Sequence, residues 1–152
     1  MTSNRWVVTA DERVARLVHV ERNERGRLCV EDQAMITDAW EEHEHGRPSP
    51  LSREGGGTYA SIGHEQETRL ARFAKEIAEW LERELAERGV DQIAVFAPPH
   101  FLGALRKAWT PRFALQVEEQ QGDLARLTPA QLADEAMVAD LVAEGGGIAR
   151  PR

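Results

Sequence analysis

The chain of 152 residues is 41% hydrophobic and 30% charged, an ordinary balance for a globular domain, and about this length buries a core without disulfide staples. No apolar run has the length of a membrane span, and the opening "MTSNRWVVTADERVARL" reaches charged residues before any signal-like core, so the expectation is a cytoplasmic protein with no membrane partner. Cys29 is the single cysteine, which excludes an internal disulfide and a thiolate zinc cluster, and a net charge of −7 argues against indiscriminate binding to nucleic acid.

In chain order, "RWVVTAD" (5–11) is a short β-branched run and reads as a buried strand. "RVARLVHVER" (13–22) follows after a short connection through Asp11 and Glu12, and its β-branched content predicts an antiparallel neighbour. "RLCVEDQAMITD" (27–38), after the turn signal Asn23 to Gly26, supplies a third strand of a meander. Between 39 and 63 periodicity fails. "WEEHEHGRPSPLSREGGG" is polar and broken by Pro48 and Pro50, so a long, mobile loop is expected there.

A helix from about Glu65 to Arg88 is the strongest pattern: Leu70, Phe73, Ile77, Trp80 or Leu81, and Leu85 recur at steps of three and four, and Gly89 supplies the stop. His64 stands at its start as a cap. "DQIAVFAPP" (91–99) is a continuous apolar run closed by two prolines, hence a buried strand. "HFLGALRKAW" (100–109) is a short helix, "RFALQVEEQ" (112–120) alternates as a fifth strand, and 128–145 opens on a capping box of Thr128, Pro129 and Gln131. The order β-β-β-α-β-α-β-α predicts one α/β domain over 1–145, a mixed five-stranded sheet with helices on its faces, and a flexible tail at 146–152. Phe73, Ile77, Leu81, Val95 and Phe96 are expected to share one core.

Charge is spread unevenly. Residues 31–67 hold nine acidic and two basic side chains, whereas 68–112 hold eight basic and six acidic ones. Arg69, Arg72, Lys75, Arg106, Lys107 and Arg112 can form a basic face, or a solvated helix surface balanced by Glu76, Glu79 and Glu82 at helical spacing. The run Gly55-Gly56-Gly57 before the long helix has the flavour of a phosphate cradle, but neither G-x-x-x-x-G-K-[ST] nor G-x-G-x-x-G is present. His43, His45, His64 and His100 lie among many glutamates, yet mostly in a loop, which is a poor frame for a metal. No G-x-S-x-G occurs, so neither metal, cofactor nor catalytic residue is assigned.

Several segments together resemble the bacterial proteins named host attachment protein, or protein required for attachment to host cells: "WVVTADERVARLVHV", the glycine loop, "HEQETRLARFAKEIAEWLEREL", "AVFAPPHFLGALRKAW" and "GDLARLTPAQLADE". The resemblance covers roughly 5–140, and A-P-P-x-F-L-G-x-L-R is its most specific piece. The arrangement is also similar to the middle domain of archaeal and eukaryotic class-I peptide-chain release factors, in which a Gly-Gly-Gln loop precedes a long helix containing R-F-A, here Arg72-Phe73-Ala74. That similarity implies a ribonuclease-H-like sheet and makes Gly55, Gly56, Gly57 and Thr58 the counterpart of a loop that enters the ribosome. The glutamine is missing, with Gly57 and Thr58 in its place, which argues against hydrolysis of peptidyl-tRNA. The expectation is a non-catalytic binding protein for a macromolecular partner; the alternative is a ribosome- or RNA-associated, release-factor-like protein acting on peptidyl-tRNA or RNA. The candidate binding surface joins Gly55, Gly56, Gly57 and Thr58 to His64, Arg69, Arg72, His100 and Arg106, and the oligomeric state is left open.

Overall fold

The computed structural model describes residues 3–38 and 59–147. Strands β1 (Ser3–Ala10), β2 (Val14–Arg22) and β3 (Leu28–Thr37) form the antiparallel meander. Asp11 makes the first turn tight: its Oδ1 accepts the backbone N–H of Arg13 at 2.8 Å and of Val14 at 3.0 Å. Asn23 does the same at the second, accepting from Arg25 and Arg27, and Gly26 closes it at a φ of 82°. Between Leu17 and Val18 the register shifts by one, with Gln33 as the extra residue of a bulge in β3.

Helix α1 (Tyr59–Arg88) then crosses over to β4 (Ile93–Ala97), which pairs parallel with β1. The helix starts at Tyr59, well before Glu65, so the stretch 59–63 expected in the loop is helical, and His64 sits in the second turn instead of capping it. The rest of the long loop, 39–58, lies outside the described residues. So does the end of the expected tail, since helical structure continues to Gly147. Helix α2 (Pro99–Ala108) and the single turn α3 (Pro111–Ala114) lead to β5 (Val117–Gln121), parallel to β4. The sheet order is β3-β2-β1-β4-β5, an antiparallel half joined to a parallel half, the ribonuclease-H-like arrangement. All five residues of β4 are buried because helices cover both faces of the sheet.

Two cores result. Phe73, Ile77, Leu81 and Leu85 of α1 pack with Phe101 and Leu105 of α2 on Val8, Leu17 and Val95. On the other face, Leu132, Val138, Leu141 and Val142 pack on Val7, Val18, Val20, Ala94 and Phe96. Phe96 therefore leaves the core in which it was expected, because consecutive strand residues point to opposite faces and Val95 already faces α1.

Two further elements depart from the sequence reading. The segment 112–120 is not all strand: Thr110 Oγ1 accepts the N–H of Phe113 at 3.1 Å, Pro111 occupies the first helical position, and this cap turns the chain into α3 before β5 begins at Val117. The segment 128–145 is two helices, α4 (Pro129–Ala133) and α5 (Ala136–Gly147). At about 100° per residue, Leu132 and Leu141 would lie on opposite sides of one straight helix. The break at Asp134 lets both reach the same core. Among the described residues no helix is long and apolar enough to cross a membrane.

Candidate binding site

β1 and β4 end side by side, and α2 begins there. The tight turn after Asp11 leaves Glu12 and Arg13 exposed beside the start of α2. The same end receives Asp38, whose N–H donates to the carbonyl of Arg13 at 2.9 Å, and which is buried to 3% exposure. Arg69 reaches it from α1, with Nη2 4.0 Å from Asp38 Oδ2. His100 Nε2 lies 3.6 Å from Glu12 Oε1. With Leu70, these groups surround a cleft of about 450 Å³ that brings Glu12 and Asp38 together with Arg13, Arg69 and His100.

Leu70 and His100 also belong to a second depression, a groove of about 680 Å³ that runs on between α1 and α2. Its floor is small and apolar: Ala71 from α1, with Gly103, Ala104 and Ala108 from α2. Glu67 stands at one end. Lys75 and Lys107 stand on the two walls at the other. Both helices run from strand ends back toward strand starts, so they are parallel, and the groove follows them for about two turns, about 12 Å. Both lysines are exposed and form no ion pair among the described residues.

The sequence-predicted surface is partly assembled. Arg69 and His100 meet in the cleft. Arg72 is exposed on α1 but lines neither depression. Arg106 turns to the edge of the sheet, donating through Nε at 2.9 Å and Nη2 at 2.7 Å to Glu119 Oε1, while Trp109 Nε1 donates to Oε2 of the same carboxylate at 3.2 Å. Those hydrogen bonds, and then the charge of Glu119, raise the Arg106 pKa further above its ordinary value. Arg112 lies beside a separate hollow with Glu82 and Asp91. Gly55, Gly56, Gly57 and Thr58 fall outside the described residues; His64 is on α1, and only its backbone is described. Among the described residues no three His, Cys, Asp or Glu side chains are gathered as a metal site.

Lys75 and Lys107 entered the sequence reading only as members of a basic face, and the groove floor did not enter it at all. The available signal was the spacing of Gly103, Ala104 and Ala108, small residues at steps of one to four on a helix whose other face is Phe101, Leu102 and Leu105.

Residues 6–135 match the protein family described as "Protein required for attachment to host cells". The chain belongs to that family. No curated protein matches it. Solved structures similar to this host-attachment-family chain include the Ppx/GppA family member from Aquifex aeolicus, 14% identical over 80% of this chain and 36% of that one, with a TM-score of 0.39. Nucleoside triphosphate hydrolases from Neospora caninum are 9% identical over 80% of this chain and 29% of theirs, at a TM-score of 0.36. An archaeal translation termination factor is 14% identical over 93% of this chain and 37% of its own, also at 0.36. This chain thus spans little more than a third of those proteins at most.

Proposed function

We propose that this host-attachment-family protein is a non-catalytic binding protein whose α1/α2 groove receives a segment of another protein. The observation that carries the reading is the groove itself: an apolar floor of Leu70, Ala71, Gly103, Ala104 and Ala108 open to solvent between two helices. Burying such a floor favours a protein segment, whereas affinity for RNA comes mainly from cations that converge on phosphates. Of the arginines expected on a basic face, Arg69 faces Asp38 and Arg106 is held by Glu119 at the sheet edge, away from the groove. Family membership supports a part in attachment to host cells, and binding through this groove is the contribution proposed for the chain.

A photo-crosslinking residue at Ala104, compared with one at Leu115, which is 83% exposed elsewhere on the surface, tests the reading in cells that express the protein. Adducts specific to position 104 that keep their full size after ribonuclease treatment are expected. Adducts at 104 that vanish with ribonuclease would replace the reading with the ribosome- or RNA-associated one.

A further inference from the structure

The groove has a direction, and the direction describes its occupant. Gly103 sits inside α2, where glycine is the least favourable residue short of proline. Nothing within the protein requires it there. Its φ is not positive, and a Cβ built on it meets no atom within 4 Å. Together with Ala71, Ala104 and Ala108 it leaves a floor low enough for a second backbone to approach closely. Charge is polarised along this floor: Glu67 stands at the end where both helices begin, with His100 there beside Glu12, and Lys75 and Lys107 flank the end toward which they run.

We infer that the groove takes a short amphipathic helix of a partner protein, lying parallel to α1 and α2, with carboxylates in its last turn between Lys75 and Lys107. A helix carries partial positive charge at its N-terminus and partial negative charge at its C-terminus. Placed parallel, its N-terminus meets Glu67 and its C-terminal carboxylates meet the two lysines, which have no other ion-pair partner among the described residues. Placed antiparallel, both ends face like charge. The apolar face of the occupant presents residues at steps of three and four to Leu70 and the small-residue floor. The inference rests on the groove being the protein site proposed above.

The test is selection of random peptides of about twelve residues, about 18 Å of helix, displayed on phage against the full chain. Enriched peptides are expected to show apolar residues at helical spacing followed by C-terminal Asp or Glu. Binding of a representative synthetic peptide, followed by fluorescence polarisation, is expected to weaken about tenfold or more when Lys75→Glu and Lys107→Glu are combined, and to be regained by the same peptide ending in lysines. Gly103→Leu is expected to raise the melting temperature while abolishing binding, which separates a docking role from a structural one. Enriched peptides that bind Gly103→Leu equally, or that carry their acidic residues at the N-terminus, would overturn the inference. So would no enrichment, a dimer that Ala104→Arg dissolves, or polyuridylate displacing the peptide. Protein adducts at Ala104 combined with peptides of the wrong polarity would leave the protein-binding reading standing and remove this one.

Discussion

Phe73 is fully buried against Phe101, the two ring centroids 6.1 Å apart and the planes 27° from parallel. It ties α1 to α2 beneath the groove, so its packing also fixes the separation of the groove walls. Phe73→Ala removes a large side chain from a site held by rigid neighbours and should cost about 3–5 kcal/mol, read from urea unfolding. A cost near zero would mean that α1 does not present this face to the sheet. Arg16 shows how a single polar residue can position a loop: its guanidinium donates to the carbonyls of Ala125 and Leu127 and, at 2.8 Å, to Asp32, fastening the loop before α4 across β2.

Among the elements, those with strong local signals and those without behave differently. Gly89 ends α1 at a φ of 69°, as a glycine after a long apolar stripe predicts. The capping box at α4 is complete: Thr128 Oγ1 accepts the N–H of Gln131 at 3.2 Å, and the Gln131 side chain accepts the N–H of Thr128 at 2.9 Å. Since α4 is only five residues long, its cap is a large part of what holds it. Thr128→Ala should therefore lower stability by about 1 kcal/mol, with faster amide exchange in Gln131 and Leu132 than in α5. Equal exchange rates of Gln131 and Leu132 with and without the substitution would show that burial of Leu132, and not the cap, determines α4. The boundary errors have one origin. Alternation in 112–120 and helical periodicity in 128–145 are averages over a window, and a local cap at Thr110 or a bend at Asp134 overrides them.

At the scale of the whole molecule, the sheet is shared by both cores: Val8 and Val95 face α1 and α2, while Val7 and Phe96 face α4 and α5. Loss of either layer exposes the same strands to water, so unfolding should be a single transition. Trp80 and Trp109 report the α1 side through fluorescence, and circular dichroism reports the backbone throughout. The two curves should coincide, and Leu141→Ala on the far side should shift the fluorescence midpoint as well, by about 2–4 °C per kcal/mol lost. Separate midpoints would divide the molecule into independent layers.

By itself the sequence determined the first four strands, the body of the long helix and its stop, the capping box and the mixed sheet, because each is written in residues adjacent in the chain: β-branched runs, three-and-four spacing, a glycine, a Thr-Pro start. It also carried the family, through segments spread over most of its length. Only the tertiary structure decided which residues share a site. Arg69 and His100 meet because α1 and α2 both run from the same end of the sheet and pack side by side in parallel, while Arg106, six residues beyond His100, is drawn away by Glu119 on β5. The same geometry set Lys75 opposite Lys107 across a floor made of glycine and alanine, residues whose meaning depends on what lies beside them. Local propensity acts over a few bonds, whereas a groove exists only where two distant segments pack at a fixed separation, and that separation is set by the buried side chains beneath it.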